Sequence, residues 1–247
     1  ARRIPGKEEF SETLRYFDHR LRNVGVTLEL GKHCTAAELA EAGLLRRVHG
    51  GAVARAATEA AYTARSQQQP DAKSAIARAA VSLLRDGQLI LLDCGTSATQ
   101  LARHIPLDLR ATIVTINPLA LVALAEHPHL ELIMLGGALH KETMAIVGVE
   151  AAAALSRLRA DICFLGVNGL HPEAGITDFS YEEAHLKRIM IENAAEVVAL
   201  ASGDKLGAVA PFVLGPSTAL THLVTTTDVA DELLTPYHQQ GITILRA

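Results

Sequence analysis

A mostly parallel α/β sheet flanked by helices is the fold this sequence predicts, and three observations predict it. From about residue 71 onward, apolar runs of strand length alternate with helical patterns, as repeated βα units require. The runs are continuous rather than alternating, which suits strands buried on both faces. Each run also stops at a polar or glycine-rich turn: Asp93-Cys94-Gly95-Thr96-Ser97, Thr115-Ile116-Asn117, Leu135-Gly136-Gly137, Gly166-Val167-Asn168-Gly169 and Ala201-Ser202-Gly203-Asp204-Lys205. In open α/β sheets, ligands collect beyond the carboxyl ends of the strands, where such turns converge.

Each element has its own justification. Residues Lys73 to Arg85 place Ile76, Ala80, Leu83 and Leu84 on one helical face. Leu89 to Leu92 is an apolar strand, and Ala98 to His104 the helix that follows it. Between them, a Gly/Thr/Ser turn at a helix start offers free N–H groups, hydroxyls and the positive end of a dipole, which is an anion site. Equally, Thr96 or Ser97 would cap the helix and Gly95 serve the turn. Strands are predicted at Ala111 to Ile116, Leu130 to Leu135, Ala160 to Leu165 and Val197 to Ala201, with shorter ones at Leu220 to Thr225 and Ile242 to Leu245. Helices are predicted at Leu119 to Glu126, Ala151 to Arg157 and Glu182 to Ala194. His140, Lys141 and Glu142 form a polar loop after the glycine pair. Residues 56–70, rich in Ala, Gln and Thr, are predicted to be a linker with some helix.

The totals exclude several classes. At 247 residues and 49% hydrophobic, the chain can bury one sizeable α/β domain with a small appendage. No apolar run reaches membrane-spanning length and Ala1-Arg2-Arg3-Ile4-Pro5 lacks the apolar core of a signal peptide, so no membrane partner is expected. Cys34, Cys94 and Cys163 lack metal or redox spacing, which fits a reducing cytoplasm, and Cys163 sits in an apolar strand as a core residue. There is no H-E-x-x-H, zinc-ligand spacing or P-loop, and no metal is expected. The net charge of −4 divides into +3 over residues 1–55 and −7 over the rest, a weak hint of nucleic acid at the basic end.

The first forty residues stand apart. Phe10, Leu14, Phe17 and Leu21 have helical spacing, and Val24 to Leu30 a strand pattern. The string Pro5-Gly6-Lys7-Glu8-Glu9-Phe10 with Glu12-Thr13-Leu14-Arg15-Tyr16-Phe17 resembles a fragment of the flavin-dependent 2,4-dienoyl-CoA reductases, over residues 1–39. No G-x-G-x-x-G fingerprint, flavin barrel or iron–sulfur cysteine cluster accompanies it, and no cofactor is expected. Residues 40–55, with Gly43-Leu44-Leu45-Arg46-Arg47-Val48-His49-Gly50-Gly51-Ala52, instead resemble the last strands and wing of the winged helix-turn-helix in DeoR-type bacterial repressors of sugar metabolism. The recognition-helix string of that family, close to S-x-x-T-I-R-R-D-L, is not present. The two resemblances together imply a chimera that keeps Arg46, Arg47 and His49 as a remnant of DNA contact and lacks sequence-specific readout.

Residues 71–247 resemble a complete DeoR-type effector domain, related in fold to ribose-5-phosphate isomerase and sugar-phosphate deaminases. The matching pieces are D-x-G-T-S at Asp93 to Ser97, T-x-N at Thr115 to Asn117, Gly136-Gly137, Ala160 to Leu170, G-I-T at Gly175 to Thr177, E-x-x-x-K-R at Glu183 to Arg188, and D-K-L-G at Asp204 to Gly207. The resemblance implies a transcriptional repressor, a homo-oligomer, that binds a phosphorylated sugar or related metabolite without converting it. Gly95, Thr96 and Ser97 would then cradle phosphate, with Lys205 as a point charge, and Asp93 would accept sugar hydroxyls. Thr115, Asn117, Gly136, Gly137, Asn168, Gly169 and Thr177 complete the expected ligand set. Glu183 and Lys187 join it, although Ser180-x-x-Glu183 is also a capping-box pattern and Glu183 to Lys187 an i, i+4 pair. The alternative is a sugar-phosphate isomerase or deaminase of the same fold.

Overall fold

The computed structural model describes residues 45–48, 51–54 and 62–247. The reductase-like segment 1–39 and His49 lie outside the described residues. Within the expected wing, β1 (Leu45–Val48) and β2 (Gly51–Ala54) form an antiparallel hairpin with Arg46 opposite Val53 and Arg47 opposite Ala52.

The remaining unit is built on seven strands: β3 (Leu89–Leu92), β4 (Ala111–Thr115), β5 (Leu130–Met134), β8 (Ala160–Gly166), β11 (Ala194–Leu200), β13 (His222–Thr225) and β14 (Thr243–Arg246). Their order is β14-β13-β11-β8-β3-β4-β5, and every pairing is parallel. Side-chain alternation divides the core in two. Leu91, Cys163, Leu165, Val197 and Ala199 face one side, and Ile90, Leu92, Ile162, Phe164, Val198 and Leu200 the other. Helices α2 (Pro70–Val81), α3 (Thr96–His104) and α4 (Pro118–Leu124) cover the second face through Ile76, Leu101 and Leu124. Helices α5 (Val149–Leu155), α6 (Tyr181–Glu192) and α7 (Asp231–Gln239) cover the first through Leu155, Leu186 and Tyr237. Burial on both faces is why the strands are continuous apolar runs.

From β3 the chain moves one way, through β4 to β5. From β8 it moves the other way, through β11 and β13 to β14. The adjacent pair β3 and β8 is therefore the topological switch point, where the connecting loops diverge and leave a crevice at the strands' carboxyl ends.

Other elements depart from the sequence expectation. Helix α1 (Tyr62–Gln67) falls where a linker with some helix was expected, but it packs on the domain, its Tyr62 hydroxyl donating to Thr99 Oγ1 at 2.8 Å. Helix α2 begins at Pro70, earlier than the apolar face suggests, because proline is well suited to a first helical turn. A hairpin, β6 (Ala138–His140) and β7 (Ala145–Val147), replaces the polar loop. A three-stranded antiparallel sheet, β12 (Phe212–Gly215), β10 (Gly175–Asp178) and β9 (Gly169–His171), sits beside the main one. These strands have three or four residues, too short for periodicity to register.

Candidate functional site

A solvent-open cleft lies at the switch point. It is bordered by Cys94 to Ser97 after β3, Gly166 to Asn168 at the end of β8, Ser202 and Lys205 after β11, Glu183 and Lys187 of α6, Arg65 of the helix Tyr62–Gln67, Gln68 just after it, and Lys73 of α2.

Its first wall is the start of α3. Gly95 is the N-cap, at φ 97° and ψ 177°, and no side chain caps the helix. That backbone conformation is open almost only to glycine. Neither Thr96 nor Ser97 acts as the cap, so the first amides of α3 and the dipole's positive end face the cleft.

The floor is a buried charge cluster. Lys187, 3% exposed, donates to Asp178 Oδ2 at 2.8 Å and to the Gly166 carbonyl at 2.8 Å, and lies 3.1 Å from Asp93 Oδ2. Burial alone would lower the Lys187 pKa, but Asp178 and Asp93 raise it well above the ordinary value. Burial pushes the Asp93 carboxyl up against the pull of Lys187. Asp178 feels the same burial, yet Lys187, the Ser180 amide and the Asn168 side chain bring it below 3.8. The difference is one of partners, since Asp93 Oδ1 has none among the described residues.

Glu183 stands beside this cluster. The Cys94 thiol donates to Glu183 Oε2 at 3.3 Å, and His140 Nδ1 lies 3.1 Å from Oε1. Ser180 does cap α6 by accepting from the Glu183 amide at 3.3 Å. The reciprocal arm of the capping box is not made, and Lys187 turns to the aspartates instead of pairing with Glu183. Burial raises the Cys94 thiol well above its ordinary value, which keeps it an S–H donor.

The third wall is cationic. Arg65, Lys73 and Lys205 converge there, and burial together with the charges of Arg65 and Lys205 lowers the Lys73 pKa to about 8. Lys205 is 3.0 Å from Asp204. Arg65 Nε and Nη2 are buried and have no hydrogen-bond partner among the described residues.

Of the predicted set, Gly95, Thr96, Ser97, Asn168, Glu183, Lys187 and Lys205 border the cleft. Asp93, Thr115, Asn117, Gly136, Gly137, Gly169 and Thr177 do not. Asp93 is fully buried, holding Lys187 and the Gly166 amide. Asn117 caps α4, accepting from the Leu119 and Ala120 amides and donating to Gly95 O and Thr99 Oγ1, so its amide is fully used. Thr115 and Thr177 spend their hydroxyls on Leu92 O and Gly169 O. Gly136 and Gly137 lie exposed at the start of the β6–β7 hairpin. Gly169 and Gly137 are required by close backbone approach, since a Cβ would lie 2.6 Å from Ala208 O or 2.4 Å from Val147 O. Arg65, Gln68, Lys73, Cys94, Ser202 and Asp178 escaped the sequence reading. Lys73 carried a signal, because a lysine in the first turns of a helix opposes the dipole.

The fold and site define an α/β domain with an anion-accepting cleft at the switch point of a parallel sheet. Residues 68–227 match the DeoR C terminal sensor domain, and the chain belongs to that family of transcriptional regulators. It is 38% identical over 172 residues to the HTH-type transcriptional regulator GlpR of Haloferax volcanii, covering 69% of this chain and 67% of that one. It is 27% identical to the regulator GolR of Listeria innocua, covering 83% and 82%. The glycerol-3-phosphate regulon repressor of Escherichia coli is 29% identical, covering 69% and 68%. Among solved structures, ribose 5-phosphate isomerase A of Methanocaldococcus jannaschii is 19% identical, covers 56% and 55%, and has a TM-score of 0.42. No described helix is long and apolar enough to cross a membrane.

Proposed function

We propose that the cleft binds a phosphorylated sugar or related metabolite, and that the chain is a carbohydrate-responsive repressor rather than an enzyme. The observation that carries this reading is the meeting of uncapped α3 amides with the cations Lys73 and Lys205 beside hydroxyl-matching groups. Free amides at a helix start and ammonium groups suit a phosphate. Asn168 and Ser202 suit sugar hydroxyls. The names of the relatives support the regulator, and glycerol 3-phosphate in two of their names fits a phosphorylated polyol.

Titration calorimetry with fructose 1-phosphate against fructose, and glycerol 3-phosphate against glycerol, tests the reading. The phosphorylated member of a pair should bind more tightly. Ser97→Asp puts a carboxylate at the helix start and should remove the preference, a loss of about ten- to hundredfold in affinity. Equal affinity within both pairs overturns it.

Glu183, facing the cleft, motivates the isomerase alternative, since isomerisation needs a base near a carbon-bound proton. Its two carboxylate oxygens are already engaged by Cys94 and His140. Ribose 5-phosphate and glucosamine 6-phosphate should therefore remain unchanged on incubation. Turnover that disappears in Glu183→Gln would assign the chain to the enzymes.

A further inference from the structure

We propose that Arg65 is an anion-recognising residue, and that through it the seating of helix α1 on the domain depends on whether the cleft is filled. The inference rests on the phosphate-binding reading above and names the element that responds.

Helix α1 precedes residue 68, where the sensor-family match begins, and it is the first described element after the β1–β2 hairpin in sequence. Its hold on the domain is sparse and polar. None of its residues is fully buried. Among the described residues three ties fasten it, each to an element that carries or touches a cleft residue. The Tyr62 hydroxyl donates to Thr99 Oγ1, which itself donates to the carbonyl of Gly95, the N-cap of α3. The Tyr62 amide donates to the Glu142 carbonyl at 2.8 Å, in the hairpin whose His140 meets Glu183. Lys73 Nζ donates to the Arg65 and Gln68 carbonyls, closing the C-terminal end of α1.

Against these ties stands a repulsion. Arg65 brings a permanent charge beside Lys73 and Lys205, and two of its guanidinium nitrogens are withdrawn from water without an acceptor among the described residues. Buried donors are ordinarily satisfied, and an unsatisfied one costs free energy. Burial first, and after it the charges of Arg65 and Lys205, lower the Lys73 pKa to about 8, so crowding of positive charge is felt at this amine too. An oxyanion with several acceptor oxygens would supply the missing partners and neutralise the cluster, and guanidinium is well suited to phosphate. The cationic cluster by itself thus disfavours α1 in this seat, and a bound phosphate favours it. A ligand shifts such an equilibrium by its differential contacts with the two states, and Arg65 is that contact.

Hydrogen–deuterium exchange on the full chain tests this, with inorganic phosphate, fructose 1-phosphate and fructose as probes and binding measured in parallel by calorimetry. Saturating fructose 1-phosphate or phosphate should slow exchange of the amides at residues 62–69, and fructose should not. Arg65→Gln should weaken binding by about ten- to hundredfold and abolish the slowing even at saturation. Lys205→Gln should weaken binding comparably yet keep the slowing, because Lys205 is not carried by α1. Circular dichroism checks that both variants fold. Slowing that persists in Arg65→Gln, or binding without slowing in the wild type, overturns the inference and leaves the sugar-phosphate reading standing. Failure of every phosphate-bearing probe to bind removes both.

Discussion

Lys187 is a cation without water, answered by two carboxylates and a carbonyl. Removing one member of such a cluster leaves the others charged, buried and unpaired, at a cost of about 3–5 kcal/mol. Lys187→Met should lose that much stability in chemical denaturation near neutral pH. Asp178, held below 3.8, stabilises the fold above that value and ceases to as the pH falls through its lower folded value. Asp93, held above 3.8, works in the opposite sense: as the pH falls toward its raised value it takes a proton and relieves the uncompensated charge. The Lys187→Met deficit should therefore shrink at acid pH, and a deficit equal at pH 7 and pH 5 would count against Asp93 as the proton acceptor. Lys73 provides a second test. Its pKa lies near 8 in the folded chain and 10.5 otherwise, so between these values the unfolded chain holds a proton the folded one lacks. Its contribution to stability thus rises with pH across that window. A bound phosphate should restore the proton, and calorimetry near pH 8 in buffers of differing ionisation enthalpy should detect proton uptake that is absent in Lys73→Met.

At the scale of elements, the turn into α3 is the feature on which the cleft depends. Its glycine adopts a conformation costing other residues about 1–3 kcal/mol, and no atom lies within 4 Å of where a Cβ would stand. The expected result of Gly95→Ala is therefore strain rather than collision. Stability should fall by about 1–3 kcal/mol in denaturant, and phosphate affinity should fall with it as the α3 amides lose their aim. Unchanged stability would show that the turn relaxes freely. The neighbouring helix α4 differs because Asn117 caps it, which leaves its own amides satisfied. Of two helix starts on one sheet edge, the uncapped one faces the cleft.

Across the whole molecule, ligand binding and folding are one linked equilibrium. The cleft draws residues from α1 through Lys205, so unfolding dismantles it. A phosphorylated sugar at a hundred times its Kd should add about 2.7 kcal/mol. For a chain of this size that is a rise in Tm of about 5–11 °C, readable by scanning calorimetry, with the free sugar producing little. An equal rise with both would mean that the phosphate contributes nothing.

The alternation of apolar runs and glycine-rich turns was legible because it is local: a strand buried on both faces must be continuously apolar, and a loop at its end must turn. The Gly95 to Ser97 turn, Asn168, Glu183, Lys187 and Lys205 could be placed at the cleft by that logic and by family resemblance. What only the tertiary structure decided was how shared polar groups are divided. Asp93, Asn117 and Thr177 have the chemistry of ligand contacts, but packing buries Asp93 against Lys187 and the Gly166 amide and engages the Asn117 amide and the Thr177 hydroxyl with internal partners. Arg65 looked like one polar residue of a linker, and becomes part of the cleft because α1 folds back across the switch point. Sequence spacing fixes what each residue can do. Which neighbour reaches it first depends on contacts between residues far apart in the chain, and those are set by the order in which the strands assemble into the sheet.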